Sequence, residues 1–127
     1  MVHLKKVGKK NPMDVSLPEK FYAQAISNGH TDLERLAYLA SNQSTVRESD
    51  CYAVLLALEH NIMDELRSGR IVSLGKVGRF QVGVSSEGSD LPEEVGTQSV
   101  KSAHLNFRPG KRLRKMLRNL DYKLVNG

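Results

Sequence analysis

Residues 107–118 read FRPGKRLRKMLR, with six basic residues and no acid. Leu113, Met116, Leu117 and Leu120 recur at helical spacing, so the stretch predicts an amphipathic helix with a strongly basic outer surface. Pro109 fits the first turn of that helix, where a missing N–H costs nothing. Just upstream, residues 83–100 read GVSSEGSDLPEEVGTQSV, with Glu87, Asp90, Glu93 and Glu94 and no Lys or Arg. A basic helix preceded by an acidic loop is the contrast that any account of the chain must explain.

The segment between them, SVKSAHLNF, alternates with period two and predicts a strand. Val100, Ser102, His104 and Asn106 fall on one face, and Lys101, Ala103, Leu105 and Phe107 on the other. Further upstream, IVSL, GKVG and RFQVGVS predict two short strands joined by a glycine turn. GKVGRF lacks the spacing and the Lys-Ser or Lys-Thr ending of a nucleotide-binding phosphate loop, so its glycines serve a turn. Lys76 and Arg79 flank that turn.

Two helices are predicted before this hairpin. DLERLAYLASNQ starts at a capping Thr31 or Asp32, with Leu33, Leu36, Ala37 and Ala40 as its stripe. Residues 47–68 give the longest element, with Cys51, Val54, Leu55, Leu58, Ile62 and Leu66 at steps of three and four. Leu56, Ala57 and Met63 widen its apolar side beyond what one neighbouring helix covers, which points to a second subunit. The first 30 residues read as an extension: a strand or arm, a turn around Gly8, Asn11 and Pro12, and KFYAQAI as a short strand.

The chain has 127 residues and a formal charge of +5, but the charge is segregated. Residues 1–12 carry Lys5, Lys6, Lys9 and Lys10 and no acid, whereas residues 13–69 carry four basic and nine acidic residues. This pattern favours an anionic partner. A single cysteine, Cys51, excludes an internal disulfide framework. His3, His30, His60 and His104 are scattered, with no metal-ligand spacing to Cys51. Ser85 and Ser86 lack a nucleophile-elbow context. No catalytic residue, metal or cofactor is expected. The N-terminal lysines precede no apolar stretch, and no run approaches the length of a membrane span, so a cytoplasmic location without membrane contact is expected.

SGRIVSLGKVGRFQV and FRPGKRLRKML, in that order along Asp32–Leu120, resemble the bacterial histone-like HU and integration host factor family. KFYAQAI and the VSSEG stretch look like a divergent, Bacteroides-type branch with an N-terminal extension. The resemblance implies an α+β fold: two helices, a three-stranded antiparallel sheet with a shortened arm, a short basic C-terminal helix, and an intertwined homodimer. It also implies nucleoid association and binding of double-stranded DNA with little sequence preference. Carried over position by position, Arg108, Lys111 and Arg112 match the basic residues around the helix entry, with Pro109 and Gly110 as its pivot. Gly75, Gly78 and Phe80 match the turn and the core phenylalanine. Lys76 and Arg79 beside that turn, Arg114 and Lys115 on the helix, and Lys5, Lys6, Lys9 and Lys10 complete the candidate phosphate contacts.

The departure is the arm. Family arms are long, basic and tipped with Arg-Asn-Pro, whose proline wedges between base pairs. Here VSSEGSDLPEEVGTQ stands in that place, with Pro92 flanked by Leu91 and Glu93. The expectation is therefore a non-enzymatic DNA-condensing protein with reduced or altered bending. The alternative is an HU-like dimeric interaction module with little DNA affinity and a protein partner at the acidic loop. The expected division is an extension over 1–30 and the HU-like part over 31–127.

Overall fold

The computed structural model describes residues 1–126. Its elements run β1 (Val2–Lys9), β2 (Lys20–Ile26), α1 (Leu33–Asn42), α2 (Glu48–Arg67), β3 (Val72–Leu74), β4 (Gly78–Ser86), β5 (Val100–Pro109), α3 (Lys111–Arg118) and β6 (Tyr122–Leu124). This is an α+β chain with three helices and two three-stranded sheets, β2-β1-β6 and β3-β4-β5.

The chain divides into two compact units. One comprises Met1–Asp32 with Leu117–Gly127, the other Leu33–Met116. In the first, KFYAQAI finds the partner that sequence left open: β2 runs antiparallel to β1, from His3 opposite Ile26 to Lys9 opposite Lys20. The tail adds β6 parallel to β1, with Val2 opposite Tyr122 and Leu4 opposite Leu124. Hydrogen bonds from Val2 N–H to the Asp121 carbonyl (2.9 Å) and from Val125 N–H to the Leu4 carbonyl (2.9 Å) fasten its two ends.

In the second unit α1 and α2 pack against each other. Ala37, 1% exposed, is its one fully buried apolar residue, because a methyl side chain lets the helices approach closely. Glu48 and Asp50 in the first turn of α2, and Arg67 in its last, oppose the helix dipole favourably. Its end is a Schellman arrangement: Gly69 N–H bonds the Leu66 carbonyl (3.0 Å) and Arg70 N–H the Glu65 carbonyl (3.1 Å). Gly69 sits at φ 84°, a left-handed conformation that costs other residues. The position usually held by a hydrophobic contact is taken by an Arg70–Glu65 ion pair at 3.6 Å.

No residue of the twenty in α2 is buried. Val54 is 65% exposed and Met63 56%, and Leu56 and Leu58 are also exposed. Covering what remains exposed of each such side chain would gain about 25 cal/mol per Å² of apolar surface. Along the stripe Cys51, Leu55, Ile62 and Leu66 are half-buried and Val54 and Leu58 exposed, so the chain alone covers it only in part.

Gly69→Ala is expected to lower stability by about 1–2 kcal/mol, the cost of a left-handed residue with a Cβ. Thermal denaturation followed by circular dichroism reads this as a fall in Tm of several degrees.

Candidate nucleic-acid interface

The β4–β5 ribbon separates two chemistries by alternation. Phe80, Val82 and Val84 stand opposite Phe107, Leu105 and Ala103. The Phe80 and Phe107 rings stack with centroids 4.9 Å apart, tilted by 34°. On the other face Arg79 stands directly opposite Arg108, Gln81 opposite Asn106, and Ser85 opposite Ser102. The His104 and Asn106 side chains lean across Gly83, which offers no Cβ to obstruct them. The result is a strip of guanidinium, amide, imidazole and hydroxyl groups. A concavity of about 630 Å³ is walled by Arg79, Gln81, Asn106 and Arg108 together with Ile71, Leu105 and Phe107.

The basic helix joins this strip through backbone contacts. Gly110 N–H bonds the Val77 carbonyl at 2.9 Å, and a Cβ on Gly110 would meet the Lys76 carbonyl. Gly78 is buried, and a Cβ there would meet the Phe107 ring and the Arg108 carbonyl. Both glycines are thus required by close approach. Gly75, at φ 51°, forms the turn, closed by Val77 N–H to the Leu74 carbonyl at 3.0 Å. Pro109 is not in the first helical turn as expected. It is the last residue of β5, opposite Gly78, and Gly110 caps the helix by accepting from Arg114 N–H at 2.9 Å. The close packing against Lys76 admits only glycine at the cap, which moves the proline back to the strand end.

Lys76, Arg79, Arg108, Lys111 and Arg112 are therefore brought around one junction, although 36 positions separate the first from the last. Arg114 and Lys115 follow on α3. Among the described residues, no ion pair engages Lys76, Arg79, Arg108, Lys111, Arg112 or Arg114. Lys5, Lys6, Lys9 and Lys10 lie in the other compact unit. Gln81, His104 and Asn106 were not among the sequence candidates. The alternation that exposes them was readable, but a charge count overlooks neutral hydrogen-bonding groups.

The acidic loop is ordered around its own bonds. Glu87 N–H reaches the Ser99 carbonyl at 2.9 Å and ties its ends. Pro92–Glu94 and Thr97–Ser99 form short 3-10 turns, and Gly96 N–H bonds the buried Ser99 hydroxyl at 3.1 Å. Strand pairing persists to Ser86 opposite Val100, with a bulge at Ser85/Ser86. The arm is thus a short ribbon capped by acids. No group of three His, Cys, Asp or Glu side chains among the described residues could hold a metal ion. No helix among them is long and apolar enough to cross a membrane.

A family model described as an HU domain fused to a winged helix-turn-helix, Ig or glycine-rich motif matches residues 2–123. The chain belongs to this family. No curated protein matches the sequence significantly. A solved structure of a candidate bacterial DNA-binding protein from Bacteroides vulgatus ATCC 8482 superposes with a TM-score of 0.65 at 14% identity. The match covers 97% of this chain and 48% of that one, so the chain spans about half of that protein's length. At this identity the likeness shows a shared fold, and with the family match it supports the HU-like α+β reading.

Gly110→Ala is expected to cost about 1–3 kcal/mol through overpacking against Lys76. Gly88→Ala, where an added Cβ meets nothing within 4 Å, is expected to stay within about 0.5 kcal/mol of wild type. Denaturant titration of the two variants side by side measures the difference.

Proposed function

We propose that this HU-family chain is a non-enzymatic architectural protein of the nucleoid that binds double-stranded DNA with little sequence preference. The observation that carries the reading is the Arg79–Arg108 pair, flanked by Gln81 and Asn106 and joined to Lys76, Lys111 and Arg112 through the Gly110 junction. Cationic groups without ion-pair partners bind phosphates by releasing counterions, and the amides add hydrogen bonds to backbone oxygens. Arg114 and Lys115 extend the contact along α3, and Lys5, Lys6, Lys9 and Lys10 add a second basic region.

The working unit is an intertwined homodimer in this reading. Its support is physical: a twenty-residue amphipathic helix with no buried residue needs cover, and an isologous second copy supplies the same apolar face. The N-terminal extension and the acid-capped ribbon are features of a divergent, Bacteroides-type branch. The short ribbon, without the proline wedge, bends DNA less than, or differently from, a long basic arm. Glu87, Asp90, Glu93 and Glu94 repel phosphate at its end.

Three measurements test this. Light scattering should give twice the 14.2 kDa chain mass, and Leu58→Glu with Met63→Glu should shift it toward the monomer. Affinity for a short duplex should fall with salt. Arg79→Glu with Arg108→Glu should weaken binding at least about tenfold at low salt and flatten the logarithmic salt slope by about one per lost contact. Asp90→Asn with Glu93→Gln and Glu94→Gln should tighten duplex binding by removing repulsion. Absence of duplex binding at low salt, with a protein captured through the acidic loop after nuclease treatment, would instead establish the interaction module.

A further inference from the structure

The β2-β1-β6 sheet has two unlike faces. Register puts Lys5, Lys9, Lys20, Tyr22 and Gln24, with Val7 and Ile26, on one face of the β1–β2 hairpin, and β6 adds Lys123 opposite His3. The reverse face carries Leu4, Phe21, Ala23, Ala25 and Leu124, with Lys6 as its one charge among the strand residues. The three strands contain no Asp or Glu. Lys5 and Lys9 lie about 13 Å apart along β1, so positive charge runs the length of the face.

At the hairpin end this face opens into a concavity of about 740 Å³, within the usual range for small-ligand sites of about 300–1,000 Å³. Tyr22, Leu17, Pro12 and Pro18 give it an apolar floor, and Lys9, Lys10 and Lys20 surround it. Lys9 Nζ lies 5.8 Å from the centre of the Tyr22 ring, and that side chain is half exposed. The connecting segment is fixed by its own turns: Met13 N–H to Asn11 Oδ1 (2.9 Å) and Leu17 N–H to the Asp14 carbonyl (3.3 Å). Neither of its two acids is among the residues that line the concavity. The Ser16 hydroxyl and amide donate to Asp14 Oδ1 at 2.6 and 3.0 Å, and these bonds hold that carboxyl below its ordinary value. The Glu19 carboxylate reaches over Gly8 beside Phe21, on the reverse face.

We propose that this concavity binds an unstacked nucleobase, with its flanking phosphates on the lysine face, from single-stranded nucleic acid. Phosphates alone would account for the lysines but not for an apolar, tyrosine-floored hollow between them. A duplex keeps its base faces stacked and offers that hollow nothing. A single strand offers a π-face for Tyr22 and phosphates for Lys5, Lys9 and Lys20, the combination on which single-strand binders rely. DNA and RNA share this chemistry. The site does not rest on the duplex interface of the other unit.

The test uses the full chain carrying Arg108→Glu, Lys111→Glu and Arg112→Glu, so that the duplex contacts of the ribbon and α3 are weakened. Fluorescence anisotropy is read with labelled twelve-nucleotide oligothymidylate and oligouridylate, and the tighter probe names the source. Single-strand binding should persist in this background, weaken about tenfold with Tyr22→Ala or Lys20→Glu, and survive Tyr22→Phe within about twofold. In the otherwise wild-type chain, Tyr22→Ala should leave duplex affinity unchanged within about twofold. Lys20→Glu decides by the same thresholds if Tyr22→Ala does not fold. Single-strand affinity unchanged by Tyr22→Ala and Lys20→Glu overturns the proposal. So does binding of phosphatidylglycerol vesicles without binding of either oligonucleotide, which would assign the face to a lipid surface.

Discussion

The close approach of Gly110 to the Lys76–Val77 backbone is the constraint on which the second unit depends. One hydrogen bond, 2.9 Å from Gly110 N–H to the Val77 carbonyl, joins a turn before β4 to the start of α3. The approach is open because Gly110 has no Cβ, which would otherwise meet the Lys76 carbonyl. With that junction fixed, the ladder register follows: Gly78 opposes Pro109, Arg79 opposes Arg108, and Phe80 stacks on Phe107. One-residue slippage would exchange the two faces, setting arginines against the apolar side and phenylalanines in solvent. The glycines thus determine which side of the ribbon is charged.

Charge and apolar surface are then distributed with little overlap. The polar strip of the ribbon bears groups suited to phosphate and sugar oxygens, and its reverse bears the aromatic pair. The helices repeat the division, with acids at the start of α2 and an apolar stripe that the chain covers only in part. Burial offers about 25 cal/mol per Å² of apolar surface, so a partly uncovered stripe on a twenty-residue helix is a strong drive to associate. In the proposed function, association and DNA binding would use different surfaces.

Much of this was legible in the sequence because it is local. Helical spacing located α1 and α2, alternation located β4 and β5, and FRPGKRLRKML marked the strand-to-helix passage together with the family likeness. What was not legible depends on long-range pairing. KFYAQAI has no periodic signal that names β1 as its partner, and Tyr122–Leu124 is a three-residue strand whose identity comes only from pairing with β1. Pro109 was placed one element too late, because its suitability for a first helical turn was weighed without the backbone contact that reserves the cap for Gly110. Among the site residues, charge drew attention to Arg79 and Arg108 but not to Gln81 and Asn106 between them. The lysines near the N-terminus read as one cluster, whereas the register sets Lys5 and Lys9 on one face and Lys6 on the other.

The central claim is that two basic segments distant in sequence form one surface for duplex DNA. Chemical-shift mapping of the isotope-labelled chain with a short duplex at low salt tests it most directly. The account predicts coincident shifts, at one affinity, for amides of residues 76–81 and 106–114, with the exposed stripe of α2 unaffected. Shifts in only one of these segments, or shifts centred on the acidic loop at residues 87–99, would contradict it.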